Sequence, residues 1–302
     1  MKIGIDLGGS HIGIGLIEKD EILILKERNF NRQDRENLKE NIVKYTENMI
    51  SEILKEKNIL ISDIELIGIA SPGTIANGVI EKAENLKLEN FDFVGILKEK
   101  YNIPIIIRND AKAAGLAEKK YGAMKDYDDC MFLCIGTGIG GAAFMGGKLL
   151  EPKRFSGFEF GHMILNKDGR LCACGKKGCF ETYASIRALK MQVTRDLDID
   201  SDVTGQYLRE HLLIKDDPAV KADIDMFIDY LKTGICNLID IFEPEVVCLG
   251  GSFAYYEGNP VLFKLLEKLN APESTFNHNS KPEFVLAKYK NDAGIIGATI
   301  EE

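Results

Sequence analysis

The sequence predicts an α/β protein made of two similar halves that face each other across a cleft. Three observations predict it. A strand, glycine turn, strand, strand pattern occurs twice, about 130 residues apart. Between and after the copies, amphipathic helical periodicity alternates with short aliphatic runs. Several of those runs are apolar throughout, as strands covered by helices on both faces are.

Residues 2–17 alternate aliphatic side chains on both sides of Gly8-Gly9-Ser10, which reads as strand, tight turn, strand. A third strand is expected at 21–26. Across 36–57, Leu38, Ile42, Tyr45, Met49 and Ile53 recur at spacings of three and four with charges between them, which predicts a helix. Residues 64–70 form an apolar strand that ends in Ser71-Pro72-Gly73. A short helix at 94–101 leads to an aliphatic run at 103–107, which ends at Arg108-Asn109-Asp110, and a helix starts there. The second copy has strands at 131–135 and 142–145 around Gly136-Thr137-Gly138-Ile139-Gly140-Gly141, with a short strand near 148–150. It is followed by a long helix marked by Val220, Ile224, Phe227, Leu231, Ile235, Leu238 and Phe242, then a strand at 245–249 ending in Gly250-Gly251-Ser252. The stretch 196–217 reads as a polar, irregular surface excursion. The expected division is a first domain at 1–118, a second at 119–290, and a terminal helix at about 291–302 that packs back on the first.

Composition narrows the function. A chain of 302 residues suits about two domains. Hydrophobic residues at 45% and charged residues at 28% exclude wholesale disorder. No apolar run approaches the ~18–20 residues of a membrane span. Asp6 falls where a signal peptide would carry its apolar core, so a cytoplasmic protein is expected, with no membrane partner. Lys plus Arg number 38 against 47 Asp plus Glu, a net charge of −9. Phosphate-backbone affinity comes from Lys and Arg, so no nucleic-acid partner is expected. Seven cysteines in a chain this size point to free or metal-bound thiols in a reducing compartment.

Glycine turns bring bare backbone N–H groups close to an anion, with no Cβ in the way. The same glycines also serve plain hairpins. Gly136-x-Gly138-x-x-Gly141 matches the dinucleotide fingerprint by letter, but strand-like Ala142–Met145 follows where that fingerprint needs a helix. A P-loop is absent too, since no Gly-Lys-Ser or Gly-Lys-Thr follows a glycine run. Asp6, just before the first turn, makes sense as an acid reaching Mg²⁺ through water. Two such turns, one per half, fit the phosphates of a nucleotide.

His162, Cys172, Cys174 and Cys179 are spaced H-x9-C-x-C-x4-C, with Gly175 and Gly178 inside. Three thiolates and one imidazole make a closed, tetrahedral, structural zinc shell. The alternatives are buried thiols or a redox pair, although the usual C-x-x-C of a redox pair is absent. Cys130, Cys134, Cys236 and Cys248 lie in apolar runs and read as core. Glu159 and Glu181 flank the knuckle and read as ligand-facing. Asp110 is of a type favoured as a helix N-cap, but its strand-end position matters more and points to a base beyond the carboxyl end of a strand, where open α/β sheets bind their ligands. A carboxylate there can take the proton from a hydroxyl attacking a γ-phosphate.

Taken together, Asp6-Leu7-Gly8-Gly9-Ser10, Asn109-Asp110-Ala111, Gly136-Thr137-Gly138-Ile139-Gly140-Gly141 and, most specifically, Glu159-Phe160-Gly161-His162 with the 172–181 block resemble the ROK family of sugar kinases, across essentially the whole chain. The resemblance implies two duplicated ribonuclease-H-like (actin-like ATPase) α/β domains flanking a cleft. It implies an ATP-dependent hexose kinase acting on the 6-hydroxyl, with glucose the leading substrate and N-acetylmannosamine, N-acetylglucosamine or another hexose the alternative. Asp110 would be the catalytic base. Gly73, Asn85, Asn109, Glu159, His162 and Glu181 would join it at the sugar, His162 binding zinc through its other ring nitrogen. Gly8, Gly9, Ser10, Thr137 and Gly138 would hold the ATP phosphates, Gly251 would lie near the adenosine, and Asp6 would support Mg²⁺. A homodimer is implied too. The chain departs from the family in carrying His11 where many members have Lys, Glu84 where Pro often precedes the Asn85 position, and no acid in Gly73-Thr74-Ile75-Ala76-Asn77-Gly78. Sugar-sensing repressors also occur in the family, with an added N-terminal helix-turn-helix. A strand starting at residue 2 and the acidic balance favour the kinase expectation.

Overall fold

The computed structural model describes residues 1–152, 158–277 and 281–301. The chain divides into two compact units: Met1–Tyr121 with the described part of Glu151–Gly157 and Asn291–Glu302, and Gly122–Leu150 with Phe158–Lys290.

In the first unit, β1 (Lys2–Leu7) and β2 (His11–Glu18) pair antiparallel with Leu7 opposite Ile12, and β3 (Glu21–Asn29) continues the hairpin. β4 (Leu66–Ser71) runs parallel to β1. A separate small sheet of β5 (Thr74–Ala76), β6 (Val79–Ala83) and β7 (Leu88–Phe91) follows, which the short polar-interrupted runs of 74–91 do not announce. β8 (Ile105–Asn109) pairs parallel with β4 and completes the main sheet in the order β3-β2-β1-β4-β8.

The helix predicted at 36–57 is Leu38–Lys57, entered through a 3-10 turn at Asp34–Asn37. It buries all five residues whose periodicity predicts it, Leu38, Ile42, Tyr45, Met49 and Ile53. The terminal helix is shorter than the expected 291–302: it spans Ala293–Ala298 and belongs to the first unit. Glycine is what lets it settle there. A Cβ on Gly68 of β4 would stand 2.0 Å from the Ala298 carbonyl oxygen, and one on Gly297 would stand 1.7 Å from that of Ala113 in the helix Asp110–Lys120. Both obstacles are backbone, so Gly297→Ala must push two helices apart. We expect it to destabilise the protein by ~1–3 kcal/mol, as overpacking typically does, read as a lower midpoint in urea. An unchanged midpoint would contradict this close crossing.

The second unit repeats the main sheet. β9 (Cys130–Ile135) and β10 (Ile139–Met145) form the antiparallel hairpin and β11 (Lys148–Leu149) extends it. β12 (Val246–Gly250) and β13 (Glu283–Leu286) add on parallel, so the order is β11-β10-β9-β12-β13. Strand for strand, order and direction match the first sheet, which is the duplicated α/β fold. The long helix is Pro218–Phe242, with the Asp217 carboxylate accepting from the N–H groups of Ala219 and Val220 and proline in the first turn.

The expected surface excursion at 196–217 is corrected in part. Thr204 caps a turn at Gly205–Tyr207 that runs on into Leu208–Leu212, and Leu208 and Leu212 are wholly buried. Their four-residue spacing is the helical signal, and the polar neighbours mask it.

Candidate active site

In the first unit, β1, β4 and β8 are parallel, so their carboxyl ends share one edge of the sheet. That edge carries Asp6, Ser71 and Asn109, the last two in register. Of the two readings of Asp110, the N-cap is overturned. Asn109 is the cap: its Oδ1 accepts from Ala111 N–H at 3.0 Å and Lys112 N–H at 3.3 Å, and its Nδ2 donates to the Gly73 carbonyl at 3.3 Å. Asp110 is the first helical residue, and its Oδ1 accepts from the Ala111 N–H at 2.8 Å. Burial pushes its carboxyl above the usual range, and backbone N–H groups pull it part of the way back. Asp6 is raised to about 7, first by burial, then by the neighbouring negative charges of Asp110 and Glu27.

The first glycine turn closes through Gly8 N–H donating to the His11 carbonyl, with Gly9 and Ser10 exposed at its apex. The His11 ring lies over Gly8, its Nε2 3.8 Å from Asp6 Oδ2. Arg35, which no motif singles out, donates from Nη2 to the Gly9 carbonyl at 3.0 Å. Exposed Asn85 lies against Gly9, so the structure brings it to this turn. Gly73 sits at positive φ, packed on the backbone of Lys82.

In the second unit, the turn Gly136-Thr137-Gly138 closes through Gly136 N–H to the Gly138 carbonyl, leaving Thr137 exposed. Glu181 is wedged beside it. Its Oε2 accepts from Ile139 N–H at 3.4 Å, and its Oε1 accepts from Cys172 Sγ at 3.2 Å and lies 3.7 Å from His162 Nδ1. Glu159 is exposed and opens the turn Phe160–His162. Gly251 has φ +63° and packs on Cys134 and Ile135 where β9 ends.

One ligand atom from each of His162, Cys172, Cys174 and Cys179 lies within 4.8 Å of the others. Cys174 and Cys179 Sγ are 3.6 Å apart, and Cys172 Sγ is 3.7 Å from His162 Nδ1. Tetrahedral bonds of ~2.3 Å place sulfurs ~3.8 Å apart, so this donor set fits a zinc ion. Gly178, at φ +79°, has the Asn166 carbonyl 1.6 Å from where a Cβ would be, so only glycine closes the knuckle this tightly. Arg170, also unannounced by any motif, stacks on Tyr183 and donates to the Thr182 carbonyl and to Gln192, tying the knuckle to the helix Ile186–Asp196. The structure thus gathers Asp6, Gly8, Gly9, Ser10, Gly73, Asn85, Asn109 and Asp110 in the first unit. Thr137, Gly138, Glu159, His162, Glu181, Gly251 and the three cysteines belong to the second.

Duplicated sheets of this order, a glycine turn in each and a Cys/His knuckle define an actin-like ATPase fold of the sugar-kinase kind. The chain belongs to the ROK family, whose pattern matches residues 2–300. It is 29% identical to a glucokinase from Thermotoga maritima over 98% of this chain and 95% of that one. It is also 30% identical to a xylose repressor from Caldicellulosiruptor bescii, over 98% of this chain and 76% of that one. The crystal structure of a ROK family glucokinase from Streptomyces griseus, in complex with glucose and AMPPNP, matches with a TM-score of 0.79 at 25% identity. That match covers 98% of this chain and 97% of the other.

Proposed function

We propose that this protein is an ATP-dependent hexose kinase that phosphorylates the 6-hydroxyl of a sugar, with glucose as its first substrate. The observation that carries the reading is Asp110. The N-cap is Asn109, and the Asp110 carboxylate stands at the carboxyl end of β8 with its Oδ1 on the Ala111 N–H. Its raised affinity for protons suits a base that takes the 6-hydroxyl proton as the oxygen approaches the γ-phosphate. Asn109 has one Nδ2 hydrogen left after Gly73, which suits a ring hydroxyl. Glu159, His162 and Glu181 complete the set of hydroxyl partners with the Gly73 backbone and Asn85. The backbone of Gly8, Gly9, Ser10, Thr137 and Gly138 is assigned to the ATP phosphates and Gly251 to the adenosine.

The acidic surroundings of Asp6 fit a divalent cation, and Mg²⁺ held there would neutralise charge on the phosphates. Zinc held by His162, Cys172, Cys174 and Cys179 would fix the knuckle, and with it the directions of His162 and Glu181. Two glycine turns and a rigid knuckle orient groups before reaction, which lowers the entropic part of the barrier.

The test is ADP release with ATP and Mg²⁺ across a panel of hexoses and N-acetylhexosamines. Glucose should give the highest kcat/KM. A higher value on N-acetylmannosamine or N-acetylglucosamine would reassign the sugar, and no turnover on any of them would overturn the kinase. The xylose repressor likeness supports a second reading, a sugar-responsive DNA-binding protein. A sugar-dependent gel shift would favour it.

A further inference from the structure

The second glycine turn has a cation beside it that no motif contains. The backbone N–H of Arg187 donates to the Gly136 carbonyl at 3.3 Å, which pins the start of the helix Ile186–Asp196 to the turn. The Arg187 side chain is exposed and lines a cavity of about 630 Å³ in the second unit, with Thr137, Glu181, Leu171, Met191 and Ile199 among its walls. That volume lies in the range of small-molecule sites.

The other charged groups on this wall are already committed. Arg170 is held by the Thr182 carbonyl and Gln192, Arg195 pairs with Asp196, and Glu181 is turned to Ile139 N–H and the knuckle. Among the described residues no carboxylate is recorded on Arg187. A planar guanidinium with its donors open, beside a glycine turn, is matched to the oxygens of a phosphate, which it grips two at a time.

We propose that Arg187 binds the phosphate chain of ATP at the Gly136–Gly138 turn. This rests on the reading of the protein as an ATP-dependent kinase. The residue supplies a permanent positive charge where the turn itself supplies only neutral donors, its backbone N–H groups and the Thr137 hydroxyl. Arg35 stands at the other glycine turn, where its Nη2 donates to the Gly9 carbonyl.

The test is titration calorimetry of the wild type, Arg187→Ala and Arg187→Lys with Mg²⁺–AMPPNP, and of all three with adenosine. Arg187→Ala should bind AMPPNP about tenfold more weakly, the usual worth of a charge-assisted contact, while adenosine binds all three alike. Lys should restore only part of the loss, since it keeps the charge and not the two-pronged grip. In turnover, KM for ATP should rise with KM for sugar unchanged. An Arg187→Ala protein that binds AMPPNP like the wild type overturns the proposal, and so does one that loses adenosine equally, since that marks a purely structural role. A wild type that binds neither ligand overturns the kinase reading itself, and Arg187's role with it.

Discussion

Asp110→Asn should abolish sugar phosphorylation while leaving sugar binding nearly intact. Asparagine keeps the size and one acceptor oxygen, so the bond from Ala111 N–H survives and the helix stays capped by Asn109. What disappears is the ability to receive a proton. General-base catalysis contributes ~10²–10⁴-fold, and kcat should fall by about that factor, measured by coupled ADP release. Sugar affinity from calorimetry should change by less than about threefold, less than one ordinary hydrogen bond is worth. Turnover within about threefold of wild type would remove Asp110 from the chemistry. A variant that loses sugar and turnover together would mark it as a binding residue instead.

The second large effect concerns the knuckle. Cys179 is fully buried, and its Sγ sits 3.6 Å from that of Cys174, so its loss takes a donor from the enclosed side of the cluster. Gently purified protein should contain one zinc per chain by elemental analysis. Chelation, or Cys179→Ala, should remove it and lower Tm. Structural zinc supplies ~10–16 kcal/mol to small metallo-domains. If ~4 kcal/mol of that is realised here, Tm falls by on the order of 10 °C, at ~2–4 °C per kcal/mol for a unit of this size. Sugar affinity should fall too, because His162 and Glu181 take their positions from the same cluster. Protein with no zinc, or a melt indifferent to chelator, would make the cluster a set of ordinary unligated side chains.

Much of this was legible in the sequence because the determining signals are local. The hairpins around Gly8-Gly9-Ser10 and Gly136-Thr137-Gly138 are written in alternation and glycine, and their repetition foretells the shared strand order of the two sheets. The donor spacing from His162 to Cys179 foretells the cluster. What sequence misses depends on neighbours far along the chain. Nothing local says that Asn109 rather than Asp110 takes the cap, because both are good caps and the choice depends on where β8 ends. Leu208 and Leu212 are hidden by their polar surroundings until the second unit's core is seen to close over them. Arg35 and Arg187 reach the glycine turns through folding alone, from positions 26 and 51 residues away from the carbonyls they touch.

The membership of residues 291–301 in the first unit has a consequence for biosynthesis. Gly68 of β4 and the Ala113 backbone of the helix Asp110–Lys120 wait for a partner that 169 intervening residues, 122–290, separate from Tyr121. At ~5–20 residues per second, a ribosome needs roughly 10–30 s to deliver it. During that interval the amino-terminal unit is an unclosed shell with a bare apolar seam. The later-made unit can fold first, and the nascent chain offers chaperones a defined window for capture.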